Sequence, residues 1–260
     1  MNSHAEGAGT TARGSNSHAE GLGTTTSGLA SHAEGEGTTA SKQSAHAEGY
    51  YTSAFGNNSH AEGNYTTASG NDSHAEGTNT TASGISSHTE GNQTIASAYY
   101  AHAEGGATTA SGSNSHAEGS GTAAEGNSSH AEGGGTIAHG YYSHAEGDHA
   151  TASGQSAHAE GYRTTASAYA SHAEGYYTIA NHLAQHVFGQ YNIKDSVATE
   201  RGTYIEIVGN GSTTAALSNA RTLDWAGNEQ IAGNLTLGMG TTAQVTITPQ
   251  QLTALLAMIQ

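Results

Sequence analysis

From residue 3 to residue 182, small apolar and polar positions alternate in short phrases that recur every fourteen residues. The unit reads S-H-A-E-G-x-x-T-T-A-S-G-x-x, two five-residue phrases each followed by two variable positions. Five residues suit a short strand, and Gly followed by two variable residues suits a tight corner. One unit therefore predicts a flat coil of two strands and two corners. Thirteen units predict a β-roll in which each strand bonds to its copies above and below at about 4.8 Å, for a rise of roughly 60 Å. Helical solenoids use longer repeats, and Thr-Thr and Gly at these positions are weak helix formers. The Gly-Gly-x-Gly-x-Asp signature of calcium-binding rolls is not in the unit.

Alternation assigns the faces. Ser59, Ala61 and Gly63 share one side of the first phrase, opposite His60 and Glu62; Thr66, Ala68 and Gly70 share one side of the second, opposite Thr67 and Ser69. The small residues are expected inside, because a carboxylate there would find neither room nor partner. Such a core buries little area per coil, so the backbone ladder and neighbouring chains are expected to carry much of the stability.

Composition alone points elsewhere. Only 34% of the 260 residues are hydrophobic, with two Phe, one Trp and 37 Gly, a profile that leans toward disorder until the periodicity is seen. The formal charge of −16, with six Lys plus Arg, argues against nucleic acid or an anionic membrane as partner. Without Cys there is no disulfide framework or thiolate chemistry. No charged-then-apolar leader opens the sequence and no run reaches membrane-spanning length, so no membrane insertion is expected.

Two invariant columns carry the candidate chemistry: His4 with Glu6, His18 with Glu20, His32 with Glu34, His46 with Glu48, His60 with Glu62, His74 with Glu76, His88 with Glu90, His102 with Glu104, His116 with Glu118, His130 with Glu132, His144 with Glu146, His158 with Glu160, and His172 with Glu174. The slot of Ser69 takes Arg13, Phe55, Glu125, His139 and Asn181 in other coils and is expected to meet water, whereas the His and Glu slots never vary, even where Thr89 replaces Ala beside them. Glu side chains one coil apart would repel by roughly 3–4 kcal/mol at an effective dielectric near 20. The expectation is a structural polar ladder in which Glu accepts bonds from His, between chains around a shared axis, because side chains two apart on one strand stand about 6.5 Å from each other. A carboxylate partner would raise the His pKa. A solvated face left by duplication is the bland alternative. Metal ligation is set aside because one strand offers no dense cluster, and catalysis because thirteen equivalent pairs make no single pocket. No catalytic, cofactor or metal residue is assigned.

Eleven Tyr occupy corner slots: Tyr50, Tyr51, Tyr65, Tyr99, Tyr100, Tyr141, Tyr142, Tyr162, Tyr169, Tyr176 and Tyr177. They are candidate surface contacts for sugars or proteins, or rings that pack over neighbouring corners and seams. Thr-x-Ser columns such as Thr81 and Ser83 resemble ice-binding arrays, but Ile95, Ala123, Glu125, Ile137 and His139 interrupt them.

With its small-x-Ala-x-Gly phrases at Ser3, Ala5, Gly7 and Thr10, Ala12, Gly14, the repeat resembles the head repeat of YadA-like trimeric adhesins, which also occurs in bacteriophage tail fibres. The resemblance implies a left-handed parallel β-roll, a homotrimer, and adhesion or host attachment. Many such heads place aliphatic residues where this chain has His and Glu, so a polar ladder would replace their apolar interface.

The pattern dissolves after Ala180. Val187 and Phe188 stand where Ala and Glu stood and are expected to cap the roll. Thr203 to Val208 reads as a strand before an Asn210-Gly211 turn, and a hairpin is expected around Ala226-Gly227-Asn228. "SNARTLDWAGNE" resembles distal domains of phage tail-fibre proteins from Gram-positive hosts. Thr248 as N-cap, Pro249 and the stripe Leu252, Leu255, Leu256, Ile259 predict an amphipathic helix.

The expected organisation is a β-roll over 3–182, a capping or neck transition over 183–196, a small β domain over 197–240 and a C-terminal helix over 248–260. The expected function is a non-enzymatic, homotrimeric phage or phage-like tail fibre that presents a surface to a host glycan or protein receptor, on a virion or extracellular surface. The adhesin family's membrane-anchoring strands are not in the sequence, which tilts the expectation from a bacterial surface adhesin toward a phage fibre. A glycan-cleaving tailspike would need paired carboxylates, and Asp195, Glu200, Glu206, Asp224 and Glu229 show no such spacing.

Overall fold

The computed structural model describes residues 2–233, 235–238, 244–247 and 251. Every coil contributes one strand to each of two parallel sheets, and the fourteen-residue period sets the register. His4 lies beside His18, His18 beside His32, and the match continues to His172 beside His186. On the opposite face, thirteen two-residue strands run from Thr11–Ala12 to Ile179–Ala180, again with residues fourteen apart side by side. The chain is thus an all-β parallel solenoid.

Stacking identical residues satisfies the backbone without a large core. Along each strand the amide of one coil donates to the carbonyl of the next, as from His60 to Ser73 and from Thr67 to Thr80, both at 2.9 Å. At the corners the second variable residue adopts a left-handed conformation, for example Asn58 at φ 52° and Tyr65 at φ 55°. Its amide returns to the preceding coil, Tyr65 to the Tyr50 carbonyl at 2.9 Å.

Ala61 and Ala68, like their copies in the coils beyond the first, are fully buried, with Ser59 and Thr66 beside them. The Ser hydroxyl compensates for its burial by donating to a corner carbonyl, Ser59 Oγ to Gly56 O at 2.8 Å. One face assignment is corrected. Gly63 is exposed and lies outside the core, because its φ of +104° turns the chain at the end of the His-Ala-Glu-Gly phrase, a conformation that side-chain-bearing residues rarely adopt. The second phrase is also shorter than five strand residues: Thr67–Ala68 is its whole strand.

The stack continues past Ala180 through the strand His186–Gln190. Tyr204–Asn210 then pairs parallel to it, setting Ile207 beside Val187, and both are fully buried. Asn219–Asp224 and Glu229–Ile231 follow as antiparallel neighbours around the Asp224 turn. Leu235–Gly238 and Gln244–Ile247 form a separate antiparallel pair. Apart from Gln251, the helix expected over 248–260 lies outside the described residues. Among the described residues no helix is long and apolar enough to cross a membrane.

Candidate functional site

The face opposite the alanines is a continuous band of imidazoles and carboxylates. Because each His sits one coil above its copy, the rings stack almost parallel: His46 on His60 at 4.7 Å and 1°, His144 on His158 at 4.8 Å and 3°, His172 on His186 at 4.7 Å and 11°. Only the His4 ring departs, tilted 52° to His18.

Contacts between the two columns already form inside the single chain. His and Glu approach each other within one chain, either in the same coil (His18 Nε2 to Glu20 at 3.5 Å, His46 to Glu48 at 3.6 Å) or from the coil before (His74 to Glu62 at 3.4 Å, His158 to Glu146 at 3.4 Å). Side chains that lean toward each other close the gap that the strand spacing suggested was too wide. These are electrostatic contacts at 3.4–4.0 Å, outside good hydrogen-bond geometry. From His18 to His186 the Nε2 atoms of the column are sealed from solvent and make no hydrogen bond among the described residues.

The expected rise in His pKa is corrected. His32, His60, His102, His116, His144 and His172 are all held below their ordinary value, first by removal from water and then by the imidazoles stacked on them. Nearby carboxylates oppose the shift without reversing it.

The carboxylates settle their own repulsion in another way. Glu104, Glu132 and Glu160 are pushed up to about 7, above all by hydrogen bonds to neighbouring glutamates. Those bonds hold the intervening Glu118 and Glu146 below the usual range. In this stretch Glu104, Glu132 and Glu160 therefore hold a proton more readily than Glu118 and Glu146, toward which they can donate it. A groove of about 990 Å³ follows this column, lined by the carboxyl groups from Glu90 to Glu174 and the glycines from Gly105 to Gly189.

The corner tyrosines fall into two kinds. Tyr162 stacks on Tyr176 at 4.9 Å and Tyr177 on Tyr191 at 5.0 Å, with the Arg163 guanidinium 5.6 Å from the Tyr162 ring centre. Tyr50, Tyr51 and Tyr65 make a similar cluster, Tyr51 stacked on Tyr65 at 5.4 Å. Tyr99, Tyr100, Tyr141 and Tyr142 instead stand out from the opposite corner, 56–65% exposed. The cluster around Arg163 was readable in principle, since Tyr162 and Tyr176, like Tyr177 and Tyr191, are fourteen residues apart.

At the end of the stack Val187 takes a core position, but Phe188 does not join it. Phe188 replaces Glu on the outer band, where its ring lies 5.2 Å from His186, so Val187 and Ile207 close the core. Sequence reasoning also missed a buried anchor. Asp195 accepts amide hydrogens from Val197 at 3.1 Å, Tyr204 at 3.0 Å and Thr203, while His182 Nε2 lies 4.0 Å from its carboxylate. Burial opposes its ionisation, but the three amides and His182 more than offset this and hold its pKa below the usual range. Nothing in the sequence around Asp195 marks this contact, because the amides that bind it come from a stretch without a repeat.

The family model of the YadA head domain repeat matches residues 47–73, 75–97 and 145–167. No curated protein matches the chain. Each matched segment spans more than one fourteen-residue coil of the observed stack.

Proposed function

We propose that this chain of YadA-type head repeats is the rod of a homotrimeric adhesive fibre, of the phage tail-fibre kind, which projects a receptor-binding surface toward a host cell. The observation that carries the reading is the unbroken, in-register stack of fourteen-residue coils from His4 to His186, within which residues 47–73, 75–97 and 145–167 match the YadA head repeat. Its core of Ala, Ser and Thr buries little apolar surface, a reason for several copies to share one rod. Tyr99, Tyr100, Tyr141 and Tyr142 supply outward aromatic surface of the amphipathic type that contacts sugars and proteins.

The placing within phage fibres rests on the likeness of Ser218–Glu229 to distal tail-fibre domains; a bacterial surface adhesin is the second reading, favoured by the repeat alone. A non-enzymatic role is supported by how the acids beyond the repeats are used. Asp195 binds backbone amides, Glu206 and Glu229 bind Arg221, and Asp224 accepts the Ala226 and Asn228 amides at 2.9 and 2.8 Å.

Sedimentation equilibrium tests the assembly: three times the 26.1 kDa chain mass is expected, and a stable monomer at micromolar concentration would overturn it. Incubation with host cells tests the role, with binding and no released sugar expected. Release of soluble glycan would favour a tailspike.

A further inference from the structure

The sequence offers no metal cluster on any one strand, but stacking creates one. In His46, Glu48 and His60, one ligand atom from each side chain lies within 4.8 Å of the others, two from one coil and the third from the next. His102, Glu104 and His116 repeat the arrangement, as do His158, Glu160 and His172. We propose that the column is a linear array of sites for borderline divalent cations of the zinc and nickel class, each held by two imidazoles of adjacent coils and one carboxylate.

Three observations carry this. The donors are two nitrogens and one oxygen, a set that suits such ions and disfavours calcium and magnesium, which take oxygen ligands. From His18 to His186 the column Nε2 atoms are sealed from water and make no hydrogen bond among the described residues, so coordination would engage atoms that the fold otherwise leaves without a hydrogen-bond partner. The surrounding chain carries a formal charge of −16, which draws cations to it.

Geometry also fixes how capture must happen. With His46 and His60 only 1° from parallel, their in-plane nitrogen lone pairs point the same way. One ring of each pair must turn about χ2 for both nitrogens to approach an ion at about 2.0–2.1 Å. Each turned ring breaks the stack with its other neighbour, so no imidazole serves two ions. Three non-overlapping clusters set a floor of three ions per chain, and fourteen column histidines used in pairs set a ceiling of seven. The inference does not depend on the proposed role in adhesion.

Titration calorimetry and bound-metal analysis of the full chain with Zn2+ test it, alongside a variant in which Gln replaces every second column histidine from His18 to His186. The expected result is three to seven equivalents on the native chain and binding weakened by about ten-fold or more in the variant, which retains His139 and His149. Should the variant not fold, Co2+ added to the native chain gives a second readout, with visible d–d bands expected from nitrogen ligation. Fewer than three equivalents, oxygen-only Co2+ spectra, or competition by Ca2+ as effective as by Zn2+ would each overturn the assignment; the last would show that the glutamate groove alone attracts the ion.

Discussion

The carbonyl oxygen of Gly161 occupies the space in which a side-chain carbon on Gly147 would have to sit. The same relationship joins the last glycine of each His-Ala-Glu-Gly phrase to its copy one coil above, as from Gly63 to Gly77. Gly147 also holds a φ of +105°. Gly147→Ala is therefore expected to cost about 3 kcal/mol or more, from backbone strain and collision together. Gly134→Ala, at a corner with open space around it, is expected to be neutral within about 0.5 kcal/mol. Chemical denaturation of both variants checks the contrast, and equal effects would argue against the close packing of coils.

Thr89 replaces alanine in the core, fully buried, with its hydroxyl oxygen unpartnered among the described residues. Thr89→Ala restores the residue that fills this slot in the neighbouring coils. It should stabilise the chain by about 1 kcal/mol, because an unsatisfied buried hydroxyl is removed where the smaller side chain already packs well. A lower denaturation midpoint would show that the hydroxyl has a partner.

The two columns titrate in opposite senses. His60 and its shifted neighbours contribute stability that is complete above about 6.5 and fades as pH falls through their lowered folded values. Glu132 contributes in the reverse direction: folded at about 7 against about 4.5 unfolded, its share is complete below 4.5 and lost as pH rises through 7. Glu132→Gln keeps the shape of the protonated side chain without its titration. In chelator, it should leave the Tm nearly unchanged near pH 4 and raise it at pH 8. The same difference at both values would contradict the shared-proton column.

Asp195→Asn keeps the size of the side chain but leaves the Val197, Thr203 and Tyr204 amides facing a neutral group that carries only one oxygen acceptor. A loss of about 1.5–3 kcal/mol is expected, with faster amide exchange in the loop that leads into Tyr204–Asn210. Unchanged exchange there would show that the loop is held by other contacts.

The coil was legible in the sequence because repetition exposes every constraint many times over. Ala61 and Ala68 were readable as core and Ser69 as exposed, since variation at the Ser69 slot contrasts with constancy elsewhere. Gly63 was misassigned because strict alternation holds only while φ stays in the extended region, and the phrase ends in a turn. The His–Glu band was found, but not its contacts or the direction of its titration. Those depend on side-chain lean and on stacking between coils, neither of which a one-strand distance conveys. Asp195 was invisible for the opposite reason: it occurs once, so the sequence offers no copy to compare, and although His182 stands in the slot of Gly70 and Gly154, the repeat does not reveal its partner.

Because each coil is bonded only to the one before and the one after, the stack works as a ruler graduated in units of fourteen residues. Loss or gain of whole units would move the C-terminal strands nearer to or farther from the opposite end without altering the fit at Val187 and Ile207. Reach could then be tuned by the copying and deletion of one short phrase, while a change of any other length would shift every later residue out of step.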